Sequence, residues 1–333
     1  MNAPAGVRQI TLRGEGDGIR MKPHFPVVPM KPSKTPTLLT CALVAALLTA
    51  TGEAALLVQE SFSGYAASNL NGQTATGLGL TGSYSGSNGI TYTGTGLTFT
   101  NIASSGGAMT FSASTALTVG AQLDISPGAV TGDLYSSFLF RKGNNFSSDA
   151  ASLIESRVSS TIGAAAVDSR FRTQFNTDNA SSNVPAVGYD SAPTNYGAAV
   201  AGNSTIYLVI TKFTNVGTAL SGGTTGTARS WILTETQYTN LLALPGGATD
   251  ANLDTVSLTA RGSDAAVTSG TFNFGDGDFI QLAATGSGAS PQPGTFDELR
   301  YGTTLTDVLP IPEPSVSLLV LVAAGSGLLR RRR

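Results

Sequence analysis

The chain has 333 residues, one cysteine, one histidine and a formal net charge of −2. Cys41 and His24 both lie near the N-terminus. Everything beyond them therefore lacks disulfides, Cys- or His-ligated metals, Ser-His-Asp triads, Cys-His dyads and histidine general bases. Carboxylate-only glycosidases, lyases that use Tyr or Arg, and calcium sites are the chemistries left open.

Residues 1–29 are polar and carry Pro23, Pro26 and Pro29. They read as a disordered upstream extension or a mis-assigned start, with Met21 or Met30 the more natural first residue. Residues 30–55 have the layout of a secretory signal peptide. Lys31 and Lys34 precede an uncharged segment, 35–52, with its apolar heart at 38–50, and small residues follow near Glu53, Ala54 and Ala55. The apolar heart is expected to form a signal helix. Leu39 and Thr40, just before Cys41, fit lipoprotein processing poorly.

Residues 56–309 make up the expected folded domain. They hold nine Lys and Arg against seventeen Asp and Glu, a net charge of −8. An acidic domain argues against nucleic-acid binding, which needs a basic footprint. It suits a soluble, self-repelling exported protein.

Along the domain the hydrophobic period is that of strands. Segments 89–101, 136–142, 151–159 and 167–175 read as strands. Segment 204–214 is apolar on both faces, with Ile206, Leu208 and Ile210 against Tyr207, Val209 and Phe213, so it is placed centrally in a sheet. Segment 229–233 carries the single tryptophan, Trp231. Segments 255–260, 271–274, 279–283 and 295–301 complete the strands. The Gly-rich 221–227 reads as a loop between hairpin partners. Helix signals are few: 235–244 stops before Pro245-Gly246-Gly247, and 304–308 forms a last turn before Pro310. Many short strands with Gly, Ser, Asn and Asp turns predict an all-β sandwich.

Residues 310–333 have three parts: Pro312-Glu313-Pro314, an uncharged run at 316–329, and Arg330, Arg331, Arg332 and Arg333. The run is shorter than the ~20 residues that span a bilayer comfortably. Arginines beside such a run stay on the cytoplasmic side, so a C-terminal transmembrane helix would leave the preceding domain outside. The two prolines keep Glu313 extended and open to a protease.

This tail resembles the PEP-CTERM sorting signal of Gram-negative bacteria. The resemblance implies recognition by an exosortase, a membrane-embedded cysteine protease, with cleavage at or near Pro312-Glu313-Pro314 after transient anchoring in the inner membrane. It also implies a final location at the cell surface or in the extracellular matrix. An ordinary C-terminal anchor is the plainer alternative.

A second resemblance lies in the body. Glu60-Ser61-Phe62 with Leu70-Asn71-Gly72, the strands at 137–141 and 207–213, and 296–302 (FDELRYG) occur in an order similar to the laminin-G/concanavalin-A-like jelly roll. The resemblance implies a jelly-roll sandwich. That fold hosts sugar binding, protein binding, glycoside hydrolysis and purely structural roles, and does not choose among them.

Candidate sites are sparse. The glutamates Glu60, Glu155, Glu235 and Glu298 fall singly on different elements, and no E-x-D-x-x-E strand is present. Asp297 and Glu298 are adjacent, so on a regular strand they would face opposite sides. Asp276 and Asp278, in Gly275-Asp276-Gly277-Asp278, are the best calcium candidates. They fall short of the six to eight oxygens calcium takes, and a polar turn between the strands ending at Phe274 and starting at Phe279 is the plainer reading. Asp133 or Asn144-Asn145 could contribute further oxygens, though nothing in the sequence places them nearby. Arg141-Lys142 is a charged strand end. Trp231, Tyr84, Tyr92, Tyr189 and Tyr196 are available for a sugar platform, the last two in an irregular loop. The expectation is a non-catalytic sandwich that binds polysaccharide or surface proteins, or serves an adhesive role. A carbohydrate-active enzyme on the same fold is the alternative, and no cofactor is called for beyond possible calcium.

Overall fold

In the computed structural model, described residues run from 55 to 309, leaving out 101, 103–105, 114–116, 126–129, 143–152, 161, 163–168, 180–181, 190–194, 197–203, 258–264, 276 and 286–291. The chain divides after Gly52 into two compact units, and the described residues all belong to the second. The expected signal helix, Pro312-Glu313-Pro314, the apolar tail and Arg330–Arg333 lie outside them.

The strands, in chain order, are β1 (Leu56–Glu60), β2 (Leu80–Gly86), β3 (Ile90–Thr93), β4 (Ala108–Ala113), β5 (Leu117–Leu123) and β6 (Gly132–Lys142). Then come β7 (Leu153–Ser159), β8 (Ser169–Asn179), β9 (Ser182–Tyr189), β10 (Asn195–Tyr196), β11 (Ile206–Val216), β12 (Ala219–Leu220) and β13 (Gly226–Leu233). Two helices follow, α1 (Glu235–Ala243) and α2 (Asp250–Val256). Strands β14 (Ala265–Val267), β15 (Gly270–Thr271), β16 (Phe279–Thr285) and β17 (Gln292–Gly302) and the short helix α3 (Leu305–Val308) complete the order.

Two antiparallel sheets carry the architecture. The larger runs β14-β13-β11-β6-β17-β4-β3, with β1 also paired to β17; the other runs β10-β9-β8-β7-β16-β5-β2. They face each other across the main core. Phe171 on β8 meets Phe213 on β11 edge-on at 5.1 Å. Two hydroxyl contacts also cross between the sheets: Thr173 donates to Thr211 at 2.8 Å, and Ser156 meets Tyr301 at 3.0 Å. The protein is a two-sheet β-sandwich, as the short strands and turns predict.

The larger sheet is buried on both faces. Tyr207, Val209 and Phe213 point into the inter-sheet core. Leu208 and Ile210 join a second cluster on the outer face with Leu139, Trp231, Tyr238, Leu241, Leu253 and Leu305. That double burial is why β11 is apolar on alternate and intervening positions alike, and its place between β6 and β13 is central as expected. The helices form the lid of this second core. Thr234 caps α1 with a full capping box to Gln237. Thr249 caps α2 through the Asn252 N–H at 3.1 Å.

Four local expectations need correction. Residues 255–256 belong to α2, not to a strand, because the Thr249 cap starts a helix that runs through them. Among the described residues of 89–101 only β3 forms a strand; Leu97 and Phe99 leave the sheet to pack into the outer core. Of 271–274 only Thr271 is in a strand. Tyr189 and Tyr196 fall in β9 and β10 instead of an irregular loop. No helix among the described residues is long and apolar enough to cross a membrane.

Candidate functional site

A carboxylate buried in a core is costly unless hydrogen-bond donors compensate its charge. Glu60 ends β1 and is 1 % exposed. Its Oε1 accepts the Phe62 N–H at 2.7 Å. Its Oε2 accepts the hydroxyls of Tyr65 at 2.6 Å and Tyr84 at 2.9 Å. Burial pushes its carboxyl up, and the hydrogen bonds from Tyr65, Phe62, Tyr84 and Gly77 pull part of the way back. The Tyr65 phenol is pushed up to about 12 by burial and by the Glu60 charge.

Asp297 is fully buried on β17. Its Oδ2 accepts the Leu97 N–H at 2.7 Å and its Oδ1 the Glu298 N–H at 2.8 Å. Burial is the main reason its carboxyl rises to about 7, with the charges of Glu298 and Glu60 adding to it. The strand is irregular just after Asp297. A bulge leaves Glu298 and Leu299 together opposite one residue of β6, and Glu298 takes a left-handed φ of 49°. The charge of the adjacent Glu298 acts on the Asp297 carboxyl. Glu298 also pairs with Arg300 at 3.4 Å. Neither Glu60 nor Asp297 has a carboxylate oxygen left without a protein donor. Among the described residues no group of three or more His, Cys, Asp or Glu could hold a metal ion.

Charge on the outer face fastens α2 to the sheet. Lys212 bridges Asp133 and Asp250, each at 2.8 Å. Burial works against its charge, but those two carboxylates hold it above the ordinary lysine range. Asp254 accepts from Arg229 at 3.0 Å and from the Trp231 indole at 2.8 Å. Asp133, a candidate calcium partner, is thus engaged by a lysine. On β7, Arg157 forks onto the Gln281 carbonyl oxygen at 3.0 and 2.9 Å. Gln281 has room because Gly120 faces it: a Cβ there would lie 2.8 Å from the Gln281 Cγ.

The sugar-platform aromatics disperse. Trp231 is fully buried and Tyr84 is 4 % exposed, so neither ring offers a face to a ligand. Tyr92 packs against Tyr65, with centroids 6.0 Å apart. Of the calcium phrase, Asp276 lies outside the described residues. Asp278 is buried, and its N–H closes a turn onto the Gly275 carbonyl at 3.1 Å, with Gly277 at a φ of 86° that favours glycine. This is the polar turn between Phe274 and β16. Arg141 donates to Thr295 at 3.2 Å, while Asn144, Asn145 and Pro312 to Pro314 are outside the described residues.

One concavity was not anticipated from the sequence. A cavity of about 330 Å³ opens where β11 begins, walled by Thr98, Ser204, Thr205, Thr234, Glu235 and Thr236 with Ile206 as its apolar contact. Glu235 is held by Thr100, whose N–H and hydroxyl donate to Oε1 at 2.7 and 3.2 Å. The cavity's parts come from three distant segments, so no motif spacing could reveal it.

No family model matches the sequence, and no curated protein matches it. Solved structures do. The lectin UEA-II complexed with galactose is 9 % identical at a TM-score of 0.40, over 75 % of this chain and all of that one. Peanut lectin with a nine-residue peptide is 8 % identical at 0.38, over 74 % and 97 %. Domain 4 of an extracellular arabinanase from Geobacillus stearothermophilus, in complex with arabinotriose, is 15 % identical at 0.37, over 77 % and 97 %. At TM-scores this low, the ligands of those proteins have no bearing on this chain.

Proposed function

We propose that this is an exported cell-surface or extracellular-matrix protein of a Gram-negative bacterium. In this reading an exosortase processes it at Pro312-Glu313-Pro314, and its jelly-roll sandwich of the concanavalin-A/laminin-G type binds polysaccharide or adheres without catalysis. The observation that carries it is the ordered tail: Pro-Glu-Pro, an uncharged run, then four arginines. The signal-like segment at 30–55 and the net charge of −8 over 56–309 are consistent with export. The commitment of both Glu60 carboxylate oxygens to core donors supports a structural role for that residue.

The sorting half is tested by Glu313→Ala and by truncation of Arg330–Arg333. Each should leave unprocessed protein in the membrane, and normal release in both cases would sink it. The sandwich half is tested by a glycan array of the secreted protein with and without calcium. Silence on every glycan would remove the polysaccharide-binding version and leave adhesion.

One observation favours a second reading, a carbohydrate-active enzyme: a carboxyl held near 7, as at Asp297, is suited to proton transfer. Its complete burial and its two backbone donors weigh against this. Reducing-end or unsaturated-product assays on any glycan bound in the array separate the two. Turnover abolished by Asp297→Asn would establish the enzyme.

A further inference from the structure

We infer that the cavity at the start of β11 holds one neutral sugar unit of a polysaccharide, contacted by Thr98, Glu235 and Thr236. The inference rests on the polysaccharide-binding reading above and gives it a place on the molecule.

Size and chemistry both fit. A volume of about 330 Å³ is at the small end of the roughly 300–1,000 Å³ of ligand sites, enough for one ring and not for an extended chain. The walls are dominated by hydroxyls, each able to donate once and accept twice, as sugar hydroxyls do. Thr234 Oγ1 accepts the Gln237 N–H at 3.3 Å, Thr205 is bonded to Tyr207, and Ser204 has a partner of its own. Thr98 and Thr236 make no side-chain hydrogen bond among the described residues. Glu235 spends Oε1 on Thr100 and leaves Oε2 open as a fixed acceptor for a ligand hydroxyl.

The site is held in shape before any ligand arrives. Thr98 sits between Leu97 and Phe99, each 2 % exposed in the outer core. Asp297 grips the Leu97 N–H on one side of it, and Glu235 grips Thr100 on the other. Such preorganisation removes part of the ordering cost of binding.

Charge narrows the class. The lining has no Lys or Arg, and its carboxylate repels uronates, sulfates and phosphates. A hard cation would want six or more oxygens, and a single open carboxylate oxygen with two hydroxyls is a poor cage. Ile206 can meet the C–H face of a ring, but the lining holds no aromatic platform. Recognition is therefore by hydrogen bonds to a neutral polyol.

Saturation-transfer NMR on the full chain tests this, with methyl glycosides of the gluco, galacto, manno and arabino series, methyl glucuronide as the charged control, and EDTA or calcium chloride in parallel samples. Saturable binding of at least one neutral glycoside in EDTA is expected, with none of the glucuronide. Thr98→Val and Glu235→Gln should each weaken it about five- to ten-fold, the effect of one lost hydrogen bond, with melting temperature unchanged. Thr236→Val, on the exposed first turn of α1, serves if either unfolds. No neutral glycoside bound at concentrations that detect millimolar affinity would overturn the proposal. Equal binding by the variants would move the sugar elsewhere, ending this site while the polysaccharide reading stands. Calcium binding alone, lost in Glu235→Gln, would replace the sugar with a cation.

Discussion

Glu60 engages both carboxylate oxygens at 1 % exposure, so removing its side chain strands three donors at once. Glu60→Leu should cost about 3 kcal/mol or more, and Tyr84→Phe about 1 kcal/mol. Urea midpoints at constant slope measure both; equal midpoints for Glu60→Leu and the parent would refute the role. Asp297 is predicted to make stability depend on pH. Its carboxyl rises from the ordinary 3.8 to about 7. The folded state therefore keeps that proton longer than the unfolded chain, and its contribution is fully present below about 4. It is lost as pH climbs through the window up to about 7, by at most about 1.4 kcal/mol per pH unit. Glu60 is raised too and acts with the same sign. Asp297→Asn should flatten the decline between pH 4 and 7 in denaturant titrations; an unaltered slope would assign it to other groups. In sequence, these carboxylates read as scattered singletons. Glu60 and Asp297 are 237 positions apart, and only the pairing of β1 with β17 lets one charge act on the other.

The helices and strand edges were unequally legible. Helix α1 could be anticipated because ETQYTNLLA ends at a Pro-Gly-Gly stop and starts at a Thr cap. Helix α2 was missed. Its seven residues end in Thr255 and Val256, which favour strands. Its signal was local: Thr249 with a free N–H to cap at Asn252. Thr249→Ala should therefore destabilise by about 1 kcal/mol. The same helix supplies Asp254 to the Trp231 indole, and Trp231 is the single tryptophan. Fluorescence thus reports on this element. The parent should emit in the blue and resist iodide quenching, while Asp254→Ala should shift or dim the emission without global unfolding. Identical spectra would mean that the indole contact is not maintained in solution. On β17 the bulge at Glu298 shifts the alternation, so that Leu299 and Tyr301 both enter the main core. Nothing in the letters DELR announces a two-for-one pairing, because it depends on what β6 presents opposite.

At the scale of the whole molecule, stability depends on two cores sharing one sheet. Phe213 faces the second sheet through Phe171, and Phe213→Ala should cost about 3–5 kcal/mol. The loss should appear in a single cooperative transition seen alike by tryptophan emission and far-UV dichroism, since Trp231 lies on the other face of the same sheet. Two separate transitions would show that the cores melt independently. The sequence by itself determined the acidic domain without Cys or His, the all-β class, the central place of β11 and the tripartite tail. These are properties of composition and of short-range period, which a linear string displays directly. Tertiary structure decided the rest. It made Trp231 and Tyr84 core residues instead of a sugar platform, because the helices cover Trp231 on the outer face of the larger sheet while Tyr84, on the other sheet, packs into the core between the two. It set a bulge at Glu298 beside the buried Asp297. It gathered Thr98, Thr205 and Glu235 around one cavity. Each of these depends on which distant segments meet, and the free energy that selects such meetings comes from burial shared across the fold.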